Sequence, residues 1–223
     1  MLDEIQWGNP TREIMPLLQS NFGPLDNLIP QLIQNNPCPA NSSKLCREEL
    51  NMLMEYLYFA AKDKEYQSQL RLLDSSLEQL FEHIIIQEGM DKEKPEVFDT
   101  VDCLFDETYP FLFKLKYHFQ RPRPYQLGKA YKMKLFPFSS GTANTPSYPS
   151  TYALQAKLIS YMLSTMFPDK IDYLENVCQD IIKSRLYLGV HYPSDIDFSM
   201  LIFDKIIHDE SFKKRHGLLG VVN

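Results

Sequence analysis

No segment of the 223-residue chain approaches the ~18 consecutive apolar residues that a membrane helix requires, and the nearest candidate, Leu158 to Phe167, is broken by Ser160, Ser164 and Thr165. The N-terminus, Met1-Leu-Asp-Glu-Ile-Gln, lacks the positive region and apolar run of a secretory signal, and Met1 favours an unprocessed chain. The expectation is a soluble, cytoplasmic protein with no integral membrane association. Cys38, Cys46, Cys103 and Cys178 show no C-x-x-C spacing and read as reduced thiols, with a Cys38–Cys46 disulfide as the minor alternative. A net charge of −6 speaks against general binding to nucleic acid, so any basic site must be a local concentration of lysine and arginine. Strand alternation and internal repeats are also lacking.

What is present suits a single compact domain: 44% hydrophobic and 13% aromatic residues argue against disorder. Residues 1–43 carry Pro10, Pro16, Pro24, Pro30, Pro37 and Pro39, which exclude a long helix and predict an irregular proline-rich arm with short helical turns laid over the core. From Glu48 the pattern turns helical, with Leu50, Leu53, Met54 and Leu57 on one face and a second stripe through Leu73, Leu77, Leu80, Phe81, Ile84 and Ile85. A third helix is expected to open near Pro95, with a kink at Pro110, and to run toward Lys116. Residues 135–156 hold no charge and are rich in Ser, Thr, Pro and Gly, the pattern of a long surface loop ending at a new helix near Ser150. Amphipathic segments around Ile171–Arg185 and Ile196–Ile207 complete an all-α, single-domain helical bundle over residues 44–215, followed by a tail at 216–223. Assembly into a homo-oligomer is compatible with this composition.

Three clusters could carry chemistry. In Lys116-Tyr-His-Phe-Gln-Arg-Pro-Arg-Pro124 the prolines stop the third helix and fix Arg123 at a stiff corner, so that Lys116 and Arg123 can address one anion. A solvated basic patch at a helix C-terminus is the plainer reading. In Ser147-Tyr-Pro-Ser-Thr-Tyr-Ala153, Ser150 is the expected N-cap of a helix whose first amides, near Thr151 and Tyr152, can donate to phosphate, although a capping hydroxyl after proline opens many helices. In the third cluster Arg185 falls on the apolar stripe of its helix and needs an anionic partner, either Asp/Glu or a ligand. After the Gly189 turn, Asp195 can meet His191 across a helix face or accept from its Nδ1, leaving Nε2 free to attack. A metal pair and a purely structural His–Asp pair are the rival readings, but no second ligand set stands at metal spacing.

In this order the clusters resemble the signature motifs of the superfamily that contains the type 2 phosphatidic acid phosphatases, the class A bacterial acid phosphatases and the vanadium haloperoxidases. The family pattern is K-x6-R-P, then P-S-G-H, then S-R-x5-H-x3-D; here it is Lys116-x6-Arg123-Pro124, Pro149-Ser-Thr-Tyr152, and Ser184-Arg185-x5-His191-x3-Asp195. The first motif also fits at Lys114, Arg121 and Pro122, although the R-x-R-P-aromatic run favours Lys116. The resemblance implies a helical bundle and metal-independent, in-line phosphoryl transfer from a small-molecule phosphate ester. His191 would be the nucleophile forming a phosphohistidine, Asp195 would orient it, and Lys116, Arg123, Arg185, Ser150 and the Thr151 amide would hold the phosphoryl oxygens. No cofactor is implied, and vanadate is expected as an inhibitor that mimics the transition state.

The departure lies in the second motif, where Thr151-Tyr152 replaces Gly-His. The missing histidine is the expected general acid, whose loss typically slows reactions ~10²–10⁴-fold. Either Tyr152 is a substitute acid, or the substrate has a good leaving group, or the protein binds phosphate esters without turning them over. His118 lies two positions from Lys116, on roughly the opposite helix face, and is not favoured as a stand-in. A second departure, Ile196-Asp197-Phe198 after Asp195, is expected to alter packing near the site. The leading expectation is a phosphatase acting on a phosphomonoester or pyrophosphate; a phosphate-ligand binding or sequestering protein comes next, and vanadate-dependent halide oxidation last.

Overall fold

The structure, a computed structural model, describes residues 1–19 and 23–218, so the end of the expected C-terminal tail lies outside the described residues. The described residues are helical and contain no strand, an all-α fold as expected. In the arm, α1 (Met15–Gln19) and α2 (Ile29–Asn35), with a 3-10 turn between them, lie against the helix Val97–Phe119, and Leu25 and Leu32 enter the main core. The Trp7 amide donates to the Gln120 carbonyl at 2.9 Å, tying the arm to the corner that precedes Arg121.

Then come α3 (Lys44–Ala60), α4 (Lys64–Leu73), α5 (Leu77–Gln87), α6 (Met90–Glu93), α7 (Val97–Phe119), α8 (Pro124–Ala130), α9 (Thr151–Met166), α10 (Ile171–Tyr187), α11 (Pro193–His208) and α12 (Glu210–Arg215). α9 packs on α7, α10 and α11 and buries residues around its whole circumference, Leu154, Ala156, Leu158 and Ile159 among them, as the central rod of a bundle must. No helix among the described residues is long and apolar enough to cross a membrane.

Two expectations need correction, and one alternative falls away. The stripe from Leu73 to Ile85 is not one helix: it breaks at Asp74-Ser75-Ser76, where Ser76 caps α5 through the Gln79 amide and the Asp74 carboxylate is held by partners distant in sequence. Short polar side chains that bond backbone locally compete with helix continuation, and Ser75, whose hydroxyl donates to the Leu72 carbonyl at 2.7 Å, and Ser76 do so here. The segment 135–156 is not a surface loop throughout, because Thr145 to Ser150 are buried. Buried irregular backbone demands hydrogen-bond partners, and buried cations supply them: Arg123 Nε donates to the Thr145 carbonyl at 2.7 Å, and Lys116 Nζ to those of Pro146 and Pro149 at 2.7 and 2.6 Å. The minor alternative of a Cys38–Cys46 bridge is not formed, since all four cysteines are free.

Candidate active site

Local sequence positions each part of the site. α7 ends at Gln120 in a left-handed conformation, φ 54°, and the two prolines that follow turn the chain so that Arg123 opens α8 with Pro124 in its first turn. α10 delivers Arg185 in its last turn. The chain then reverses at Gly189, φ 71°, where a Cβ would stand 2.9 Å from Leu57 Cδ1, so both conformation and space call for glycine. That reversal brings His191 back toward Arg123 just ahead of α11.

Asp195 sits in the first turn of α11 and does three things with one carboxylate. Its Oδ2 accepts from the Tyr192 amide at 2.9 Å, closing the helix N-terminus, and lies 3.0 Å from His191 Nδ1. Its Oδ1 accepts from Arg121 Nη1 at 2.6 Å. Arg121 in turn donates through Nη2 to Glu49 at 3.0 Å, and its guanidinium lies 3.9 Å from the Tyr192 ring centroid. Burial alone would raise the Asp195 carboxyl, but Arg121, the His191 hydrogen bond and the Tyr192 amide outweigh it and hold the group below its ordinary value.

On the other edge of the imidazole, Arg123 Nη1 stands 2.8 Å from Nε2. Arginine can only donate, so Nε2 accepts with its lone pair and the ring proton sits on Nδ1, directed at Asp195. Burial first and the Arg123 charge second push the His191 pKa well below 6.5, with Asp195 opposing, so the ring is neutral at physiological pH. Burial and Arg123 likewise depress Lys116, and burial lowers Arg123 to about 10. These buried cations are crowded and short of negative charge.

They face one cavity of about 240 Å³, whose wall includes Lys116, Arg123, Thr151, Tyr152, Arg185 and His191. Six of the eight residues singled out in the sequence thus meet at one cavity. The other two stand behind it: Asp195 orients the imidazole, and Ser150 Oγ caps α9 by accepting from the Ala153 amide at 3.3 Å. Ser199 couples this cap to α11, its hydroxyl accepting from the Ser150 amide at 2.9 Å. His118 is exposed and absent from the cavity wall, and Lys114 pairs with Asp26 of the arm, so the Lys116–Arg123 register is the one that faces the cavity.

Arg185 finds both kinds of partner that its position demanded. Asp74 accepts from Nη1 at 2.8 Å and Thr142 from Nη2 at 3.0 Å, while the buried Nε has no partner. The guanidinium lies over the Tyr152 ring, 4.2 Å from its centroid. The Tyr152 hydroxyl donates to the Ser75 carbonyl at 2.5 Å, and burial raises its pKa above the usual phenol value. The departure after Asp195 also has its place: Phe198 stacks on Tyr148, 4.4 Å between centroids, and packs edge-on against Phe119, steadying the loop that leads to Ser150.

Sequence reasoning missed Asp74, Glu49, Thr142, Thr145, Glu78 and Tyr109, and assigned Arg121 only to the disfavoured register. Glu49 carried a readable signal, since it follows Cys46 by three and precedes Leu53 by four on the buried face of α3, where a carboxylate requires a cation. Asp74 carried none, because its partner is 111 positions away. The described grouping of metal-ligand types, Cys103, Glu107 and His216, lies outside the cavity, and Arg215 clamps its Glu107.

No curated protein matches the sequence. Among solved structures the fold is similar to that of a transmembrane PAP2-type phosphatidylglycerolphosphate phosphatase from Bacillus subtilis, with a TM-score of 0.53 and 19% identity over 91% of this chain and 98% of that one. The family model described as PAP2 superfamily matches residues 108–202, the span from α7 through α11 that supplies Lys116, Arg123, Arg185, His191 and Asp195. Through that span, 95 of the 223 residues, the chain is similar to the PAP2 superfamily, within a fold that is all-α over the described residues.

Proposed function

We propose that the protein hydrolyses a small phosphate ester, a phosphomonoester or pyrophosphate, through a covalent phosphohistidine on His191 without a metal. One observation carries this reading: a neutral imidazole, held by Asp195 at Nδ1, lines the cavity shared by Lys116, Arg123 and Arg185, and its Nε2 lone pair is engaged by Arg123 Nη1 until a bound phosphate draws that guanidinium to itself. Nε2 attacks phosphorus as the ester P–O bond opposite it breaks, and the cations take the charge on the equatorial oxygens. The Thr151 amide, at the N-terminus of α9 and on the cavity wall, is a further donor available to them. Water then cleaves the P–N bond, releasing phosphate and the neutral ring. Phosphate release from a panel of alkyl, aryl and sugar phosphates, nucleotides and pyrophosphate tests this, together with trapping of an acid-labile phosphoenzyme and inhibition by orthovanadate. A panel with binding but no release sinks it.

Tyr152 fits a positioning role better than an acidic one. Its proton is directed at the Ser75 carbonyl, its pKa is raised, and its ring supports Arg185. Leaving-group protonation then falls to water or the substrate. Tyr152→Phe is expected to slow alkyl and aryl phosphates alike, by less than about 10-fold, as loss of one neutral hydrogen bond implies. Selective slowing of the alkyl esters in the kcat/KM comparison would restore the phenol as general acid. The same committed hydroxyl favours the second reading, a phosphate-ester binding protein with little turnover, which the release assay separates from the first.

Anion binding is expected to take up protons. Lys116 has a pKa depressed below 10.5, and a bound dianion favours its charged form, so in the window between depressed and restored values binding draws a proton from solvent and affinity falls as pH rises. Calorimetry of tungstate binding at a series of pH values below 10.5, in buffers of different ionisation enthalpy, reads the uptake directly. Lys116→Met should lose it; identical uptake in that variant assigns the proton elsewhere.

A further inference from the structure

The cavity wall that holds the three cations also holds a carboxylate that the proposed reaction does not use. Glu78, in the first turn of α5, accepts from the Tyr109 hydroxyl at 2.6 Å and from the Ser76 hydroxyl, and all three side chains line the cavity. Both donors are neutral. Asp74 and Asp195 are each neutralised by an arginine, whereas the groups that act on Glu78 include no cation. Burial would raise its carboxyl, but the Ser76 and Tyr109 hydrogen bonds prevail and hold it low, so the charge is kept. Its place near the N-terminus of an eleven-residue helix favours the same state. Beside it stand two aromatic rings of the wall, Tyr109 and Phe113, which stack at 6.0 Å between centroids with their planes 12° apart.

A retained negative charge next to aromatic rings is the chemistry that recognises an ammonium group. We propose that Glu78, Tyr109 and Phe113 form a leaving-group subsite that selects phosphomonoesters of amino alcohols, the phosphate lying among Lys116, Arg123 and Arg185 and the ammonium against Glu78. This rests on the phosphatase reading and narrows it. A second phosphate in the position of the ammonium would meet a like charge, so pyrophosphate and nucleoside diphosphates are disfavoured. Specificity then comes from repulsion of the wrong leaving group as much as from attraction of the right one.

Two non-hydrolysable probes separate this proposal from the reading beneath it. In wild-type protein 2-aminoethylphosphonate is expected to bind roughly 10-fold more tightly than the near-isosteric propylphosphonate, an effect of the size a single partly screened charge pair supplies. In Glu78→Gln the ratio should fall to about one, and kcat/KM for pyrophosphate relative to phosphoethanolamine should rise about 10-fold or more. Tyr109→Phe, which removes a hydroxyl donor to the carboxylate and keeps the ring, should give an intermediate ratio. Equal affinity of the two phosphonates in wild type overturns the subsite while leaving the phosphate site intact. Uniform loss of activity of Glu78→Gln on every alkyl ester, with the phosphonate ratio preserved, makes Glu78 a general acid and overturns it too. Failure of both phosphonates to bind removes the phosphatase reading and the subsite with it.

Discussion

His191→Ala is expected to lower phosphate release by on the order of 10⁴-fold or more and to eliminate the acid-labile phosphoenzyme, because deletion of a nucleophile removes the covalent route altogether. Tungstate binding should survive within about 10-fold, since Lys116, Arg123 and Arg185 are held by other contacts: the first by carbonyls of Pro146 and Pro149, the second by carbonyls of Thr145 and Val190, the third by Asp74. This dissociation of binding from turnover distinguishes a nucleophile from a structural histidine. A buried histidine with only a packing role would, when removed, loosen the cavity and weaken both together. Single-turnover kinetics alongside calorimetry give the two quantities on the same preparation. Persisting turnover with a well-folded His191→Ala protein would end the phosphohistidine mechanism.

What could be read in the chain before folding follows from how far each interaction reaches. The helices were legible because their apolar residues recur at short range, and the α9 start was legible because Ser150 follows Pro149 and precedes an unbroken helical run. The break between α4 and α5 was hidden: Leu73 and Leu77 sit in phase, and the weak local signal of Asp74-Ser75-Ser76 takes its meaning from Arg185, Thr142 and Tyr152 far along the chain. The buried part of the loop misled for a related reason. An uncharged Ser/Thr/Pro-rich segment normally seeks water for its carbonyls, and here Lys116 and Arg123 replace that water. Cations expected to await an anion are thus also the hydrogen-bond donors that permit the loop to be buried. Lys116 and Arg123 thus line the cavity with a second task that their spacing does not reveal, and Thr145 was missed because only its backbone and hydroxyl, not a charged side chain, meet Arg123.

The same logic of buried charge makes Arg121 the residue whose loss should most damage stability. Its guanidinium is 1% exposed and joins Glu49 of α3 to Asp195 of α11, so one side chain neutralises two buried carboxylates on helices from opposite ends of the domain's sequence. Arg121→Ala leaves both uncompensated, and breaking a buried pair from one side costs about 3–5 kcal/mol. Lys114→Ala, which removes the more accessible pair with Asp26, should cost less than Arg121→Ala. The deficit of Arg121→Ala should depend on pH in a stated direction. Asp195 has a folded pKa below its unfolded value of 3.8, so the stability it contributes is present above that value and lost as pH falls below it. Without Arg121 that contribution shrinks, and the gap between wild type and variant should be widest near neutrality and narrow as the medium is acidified through the carboxylate range. Urea unfolding of both proteins at several pH values measures the gap. Adding Glu49→Gln to Arg121→Ala should recover part of the loss, because one of the two orphaned charges is then gone. A gap under about 1 kcal/mol at neutral pH, or an Arg121→Ala deficit that Glu49→Gln deepens by its full single-variant cost, would mean that Arg121 does not neutralise these carboxylates and that Asp195 is held for His191 by other means.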